Sequence, residues 1–179
     1  KTSPHQILSS GVNSVSVGDA HTLILKNDGV LLAVGRNEDG QLGDGTTISR
    51  NDEVTIDNGV RSISAYGNKS YFVKFDGSLW SMGNGTSQPQ QINISGVSQI
   101  SAGDGYLLIL KDNDELWGFG NNFYGQLGNA LNTNSSPAYI TDNVTKIAAG
   151  FGHSMFVKTD GSLWGTGDNS SGQLGNGTT

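Results

Sequence analysis

The stretch from Val144 to Gly177, VTKIAAGFGHSMFVKTDGSLWGTGDNSSGQLGNG, is the unit that the rest of the chain repeats. It reads as three short strands followed by a glycine-rich elbow. Val144, Ile147 and Ala149 precede a break at Gly150-Phe151-Gly152. Met155, Phe156 and Val157 then form a β-rich run that stops at Asp160-Gly161, and a second apolar run, Leu163-Trp164, ends at Gly165 and Gly167. Asp-Gly between two apolar runs signals a hairpin, and a type I′ turn is expected there because both its central residues need positive φ. Gly172-Gln173-Leu174-Gly175 is too rich in glycine for a helix interior and too regular for an ordinary loop. The whole stretch is one antiparallel unit of the size of a propeller blade.

Three more units precede it. The first runs from Val12 through His21-Thr-Leu-Ile-Leu25, Asp28-Gly29 and Gly35 to Gly40-Gln41-Leu42-Gly43. The second has Val60, Tyr71-Phe72-Val73, Asp76-Gly77, Leu79-Trp80 and Gly83, and lacks the Gly-Gln-Leu-Gly elbow. In the third, Val97 leads to Leu107-Leu-Ile-Leu110, Leu116-Trp117 and Gly125-Gln126-Leu127-Gly128, with Asn113-Asp114 in place of Asp-Gly. The leading valines are spaced by 48, 37 and 47 residues. A short segment with an apolar residue near a turn former precedes each unit: Pro4 to Leu8, Asp52 to Ile56, Pro89 to Ile94 and Pro137 to Ile140. Proline suits an edge strand, where no ladder donor is missed. Each repeat is therefore expected to give four strands: inner, second, third and outer.

Repetition at this period decides the fold class. The expectation is an all-β chain, a β-propeller of four-stranded antiparallel blades, forming one domain over residues 1–179. The repeats fall at about 12–56, 60–94, 97–141 and 144–179, and residues 1–11 would supply an outer strand to the last sheet. Two arrangements remain open: a closed four-bladed ring, or a partial or self-assembling portion of a larger propeller, such as about half of a longer protein.

These units resemble the repeats of the regulator of chromosome condensation family, in a bacterial-type form. The resemblance rests on Gly18 with His21, Gly150 with His153, the Asp-Gly pairs, Leu-Trp before glycine, and Gly-Gln-Leu-Gly after asparagine. It implies a β-propeller, usually of seven blades, and the use of a loop face toward protein partners.

Composition narrows the functions. Ten Lys and Arg against sixteen Asp and Glu give a formal charge of −6, which disfavours nucleic acid, since that partner needs a basic stripe. No apolar run approaches the ~20 residues of a membrane-spanning helix, so no membrane insertion is expected. Cysteine is absent, which removes disulfides and thiolate metal sites. The Asn-, Ser- and Thr-rich composition suggests a bacterial, secreted or cell-surface setting.

Nothing in the chain reads as an enzyme or as a cofactor or metal site. Asn37 to Gly40 resembles part of a calcium loop, but Gly35 stands at the first ligand position and the closing Glu is missing. Gly118-x-Gly120 and Gly165-x-Gly167 lack the third glycine and the helix of a dinucleotide site. His153, Ser154 and Asp160 are triad residue types whose repeat phases already account for them. By the same phase argument His21 and His153 are expected to hydrogen-bond between blades, the three Trp to pack core or blade contacts, and each elbow Gln to serve backbone groups while its Leu packs between blades.

What varies between repeats falls on one face. In a four-stranded meander the inner–second and third–outer connections share a face, and the Asp-Gly hairpins occupy the other. Arg36, Tyr66, Tyr106, Phe123, Tyr124 and Phe151 lie in those variable connections and form the candidate partner-binding face. Arginine and aromatics among small polar residues are the composition of binding hot spots. The expected function is a non-enzymatic protein-binding module. The alternative is a structural segment that self-associates through open blade edges.

Overall fold

The computed structural model describes residues 2–129 and 133–179. Fifteen strands form four antiparallel sheets. The first blade is β1 (Val12–Val17), β2 (His21–Lys26), β3 (Leu31–Gly35) and β4 (Arg50–Asp57). The second is β5 (Val60–Tyr66), β6 (Lys69–Lys74), β7 (Leu79–Gly83) and β8 (Thr86–Ile92). The third is β9 (Val97–Gly103), β10 (Tyr106–Lys111), β11 (Leu116–Asn121) and β12 (Thr133–Thr141), and the fourth is β13 (Val144–Ala149), β14 (His153–Lys158) and β15 (Leu163–Gly167). Within each sheet strands pair in chain order. The internal repeat is reproduced in register: Val15↔Ile24, Ile63↔Phe72, Ile100↔Ile109 and Ile147↔Phe156 occupy one rung in all four sheets.

Period-2 alternation gives every sheet two apolar faces, and each face needs a neighbour. Leu23, Leu25, Leu31, Ala33 and Leu42 of the first blade bury themselves against Val60, Ala65, Phe72 and Met82 of the second. Tyr71, Val73 and Leu79 do the same with Val97, Ile100 and Ile109, and Leu108, Leu110, Leu116 and Leu127 with Val144 and Phe156. Polar stitches repeat beside this packing. On the hairpin side the amides of Val60, Val97 and Val144 donate to the carbonyls of Gly29, Gly77 and Asp114, at 2.9, 3.1 and 3.0 Å. In mid-strand the hydroxyls of Ser16, Ser64 and Ser101 accept from the amides of Ala65, Ala102 and Ala149, at 2.8, 2.9 and 2.9 Å. Inner strands of adjacent blades share no ladder, so serine satisfies amides that would otherwise be buried unpaired.

The hairpins differ from the type I′ turn that Asp-Gly suggests. Gly29, Gly77 and Gly161 have φ near +80°, but Asp28, Asp76 and Asp160 do not. The amides of Gly29, Gly77 and Gly161 donate to the carbonyls of Lys26, Lys74 and Lys158. This is a longer turn that ends on a left-handed residue, the arrangement of a three-residue loop with a glycine bulge. The aspartate instead accepts the amide two residues on, as Asp76 does from Ser78 at 2.9 Å. In the third repeat Asp114 takes the glycine position at φ 63°.

Among the described residues the four blades do not close into a ring, which is the partial arrangement of the two expected. Blades pack only on their chain neighbours, β1 and β2 on β5, β5 and β6 on β9, β9 and β10 on β13; among the described residues no comparable interface joins the fourth blade to the first. The outer strand expected from residues 1–11 is therefore not formed: residues 2–11 carry no strand, and the fourth sheet has three. Ile7 and Leu8 border the free face of the first blade beside Val12, Val15 and Ile24, too far along the arc to pair with β15. At the other end Leu163 is 65% exposed, where its counterparts Leu31, Leu79 and Leu116 are at most 1% exposed. Among the described residues no helix is long and apolar enough to cross a membrane.

Candidate partner-binding face

The loop face is built on glycines that make room for rings. A Cβ on Gly18 or Gly150 would collide with the imidazole of His21 or His153, and one on Gly103 with the ring of Tyr106. The His21 and Tyr106 rings reach toward the next blade. His21 Nε2 lies 2.7 Å from the Ser70 hydroxyl, which donates to the Gln41 carbonyl at 2.8 Å. Burial lowers the pKa of His21, against the opposing pull of the Asp19 carboxylate. Tyr106 Oη donates to the His153 carbonyl at 2.6 Å and accepts from Ser154 Oγ at 3.1 Å.

The third–outer loops are organised by the asparagine of the repeat motif, to which the sequence reading gave no structural role. Asn37 Oδ1 accepts the Leu42 amide at 2.9 Å, and its Nδ2 donates to Asp44 and to the carbonyls of Thr46 and Ile48. Asn122 and Asn169 accept the amides of Leu127 and Leu174 in the same way, at 2.7 and 2.9 Å. Each elbow glutamine takes an amide two residues back: Asp39 to Gln41, Tyr124 to Gln126, Ser171 to Gln173. Asparagine five positions before each elbow leucine was the available signal. The loop tips are consequently held by side chain–backbone bonds and do not depend on a partner for their shape.

Three of the six candidate residues come together. Phe123 is 80% exposed, Tyr124 43% and Phe151 57%. The rings of Phe123 and Tyr124 meet edge to face at 5.0 Å, and Tyr124 and Phe151 lie 6.4 Å apart across the gap between the third and fourth blades. Tyr124 rests on Gly152, where any Cβ would strike its ring. Tyr66 is half-buried in a neighbouring cleft between the second and third blades. Burial raises its pKa, with further push from the Asp104 and Asp19 carboxylates. Arg36 stands apart on the first blade, ion-paired with Glu38 at 2.6 Å. Tyr106 is a correction: at 1% exposure with both hydroxyl bonds made, it is an inter-blade strut and offers no contact surface.

Other expected roles sort themselves by geometry. Leu42 and Leu127 are fully buried between blades, as their phase required. Trp80 and Trp117 pack, partly buried, against the first–second and second–third blade clusters as expected, while Trp164 is 52% exposed. Each indole donates to a residue two positions back and lies under a lysine ammonium, Lys74, Lys111 or Lys158, at 5.0, 5.3 and 5.1 Å. Ser154 Oγ bonds Tyr106, and Asp160 bonds Ser162, so the triad residue types at 153, 154 and 160 form no relay. Among the described residues no group of three His, Asp or Glu is placed to hold a metal ion.

Comparison with known proteins agrees with this architecture. A family model described as "Regulator of chromosome condensation (RCC1) repeat" matches residues 12–41, 97–126 and 144–173, and a second model of the same description matches 113–157. A Caenorhabditis elegans homologue of the X-linked retinitis pigmentosa GTPase regulator is 35% identical over 134 residues, 64% of this chain and 10% of that protein. The crystal structure of human WBSCR16 superposes with a TM-score of 0.86 at 23% identity, covering 97% of this chain and 52% of that one. Prp20p from Saccharomyces cerevisiae, described with its binding properties to Gsp1p and histones, gives 0.81 at 22% identity, covering 92% and 46%. The chain thus spans about half the length of these solved propellers and a tenth of the curated relative.

Proposed function

The chain belongs to the regulator of chromosome condensation (RCC1) repeat family, and from that premise we propose that it is a non-enzymatic protein-binding module acting through its loop face. The observation that supports this reading is the exposed aromatic patch of Phe123, Tyr124 and Phe151. Clustered exposed rings on a rigid frame favour association, because their contact area comes with little side-chain entropy to lose. The likeness to Prp20p supports a protein partner, and the charge of −6 disfavours nucleic acid.

The test begins with a partner recovered on the immobilised chain and an affinity measured by calorimetry. Phe123→Ala and Tyr124→Ala are each expected to weaken it by about tenfold or more, with thermal unfolding unchanged. Unaltered affinity in both variants would reject this face.

Self-association is the second reading, favoured by the free blade faces. Val15 and Val17 at one end and Leu163 and Trp164 at the other are 52–65% exposed, although the same positions are covered at internal interfaces. Head-to-tail packing of two chains would repeat an interface the arc already makes three times. Light scattering across a concentration series is expected to show a dimer that Leu163→Glu dissolves; a strict monomer at high concentration would overturn it.

A further inference from the structure

The second repeat departs from the others at three positions that converge on one cleft. Where the first, third and fourth repeats have glycine at the end of the inner strand and a ring three residues on, the second has Tyr66 and Lys69. Where the next blade should offer a hydroxyl, as Ser70 does to His21 and Ser154 to Tyr106, the third blade has Leu107. The strut that closes the other two blade junctions on this face is therefore missing between the second and third. In its place lies a cleft of about 390 Å³, lined by Tyr66, Lys69, Tyr71, Phe119, Asp19 and Asp104 among others.

The side chains of this cleft have donors to spare. The Lys69 ammonium makes no hydrogen bond or ion pair among the described residues and lies over the Tyr71 ring, 5.9 Å from its centroid. By contrast Lys74, Lys111, Arg36, Arg50 and Arg61 are all ion-paired. The hydroxyls of Tyr66 and Tyr71 likewise have no bonded partner among the described residues. The two aspartates do not neutralise Lys69: their charges bear on the Tyr66 phenol, whereas Lys69 is affected only by its burial, which lowers its pKa. The cleft thus holds one ammonium without an ion pair, Lys69 over the Tyr71 ring, and two carboxylates, Asp19 and Asp104, whose charges reach Tyr66. A polyanion is repelled by the carboxylates, and a lone cation by the ammonium.

We propose that this cleft is a docking site for a peptide segment carrying an acidic side chain next to a basic one, its carboxylate held by Lys69 between Tyr66 and Tyr71. The basic neighbour faces Asp19 and Asp104. A charge-assisted bond to a half-buried ammonium gains more than one made in water. The volume, near the lower limit for ligand pockets, suits one or two side chains better than a cofactor. The site rests on the loop-face reading in that its Asp104 is tied to the aromatic patch, the Asp104 amide donating to the Phe151 carbonyl at 3.3 Å.

The probe is an acetylated, amidated Glu-Lys dipeptide titrated into the whole chain carrying ¹³C-labelled lysine. Saturable shifts of the Lys69 Cε signal are expected, together with a rise in the pH at which that signal titrates, since a docked carboxylate favours the ammonium form. Lys69→Met should abolish the dipeptide-induced shifts of the Tyr66 and Asp104 amides, and Lys69→Arg should keep them. The blocked Gln-Lys dipeptide should bind about tenfold more weakly. No saturable shift, an equal response to Gln-Lys, or an equal response to inorganic phosphate would overturn the assignment. If the dipeptide fails while Phe123→Ala still weakens a protein partner, the face stands without the cleft. If it binds while the alanine variants are silent, the cleft stands and the aromatic patch falls.

Discussion

Leu42→Ala is expected to destabilise the protein by about 3–5 kcal/mol, and Leu174→Ala by less than about 1 kcal/mol, although both residues sit in the same Gly-Gln-Leu-Gly tetrapeptide. Leu42 is fully buried in a cluster with Val60, Phe72 and Met82 of the next blade, so truncation leaves a cavity that two sheets cannot close together. Gly43 lies directly against Met82, which leaves the elbow no slack to settle into the gap. Leu174 meets only its own blade: it lies near Gly165 on the half-covered face of the fourth sheet. Urea unfolding monitored by the three tryptophans measures both. Equal losses in the two variants would mean that the free face of the fourth blade is covered in solution, which is the outcome the self-association reading requires.

Asp44→Ala should cost about 2 kcal/mol at neutral pH, and the charge-dependent part of that cost should fade as the pH falls through about 2. The Asp44 side chain is 4% exposed and accepts from Asn37 Nδ2 at 3.0 Å, the Thr46 amide at 2.9 Å, Thr46 Oγ1 at 2.7 Å and Arg50 Nε at 2.8 Å. Burial pushes its pKa up, but the bonds from Thr46, Arg50 and Asn37 outweigh that and hold it at about 2. A folded-state pKa below the unfolded value means that the native state binds the proton less readily. The stabilisation is therefore complete above about pH 4 and disappears as the pH falls toward 2. The third and fourth repeats carry Asn129 and Asn176 at this place, so Asp44→Asn tests the charge with the shape retained. That variant should unfold with a shallower acid dependence than the parent and leave Arg50 unpaired. A parallel pH profile in parent and variant would show that the carboxylate is not the group that titrates.

Much of this molecule is legible without coordinates because a propeller blade is a local object. Val12, Val60, Val97 and Val144 lead four strands in one register because each hairpin is closed by the turn two or three residues long beside it. The recurrence of Leu42 and Leu127 at one phase was enough to place them between blades, since a sheet buried on both faces must put its bulky residues there. The turn type was misread because Asp-Gly alone does not count the residues in a loop: Asp28 keeps its ordinary φ, and only Gly29 turns left-handed. The role of Asn37 was not legible because an asparagine in a polar loop looks like its neighbours until its four partners are seen converging on it.

For the site, sequence phase put Tyr66, Tyr106, Phe123, Tyr124 and Phe151 on one face but could not rank them. Tyr106 and Tyr124 have the same chemistry; the glycine at 103 lets one ring turn inward to meet Ser154, while Gly152 offers the other a shelf beside Phe151. The sequence by itself determined the repeat, the strand register and the identity of the two faces, all of which depend on contacts within some fifty residues. Only the tertiary structure decided that the arc stays open, which rings are struts and which are surface, and that a cleft opens at Lys69. Those outcomes depend on what the adjacent blade presents, and a side chain's own position in its repeat carries no record of its neighbour.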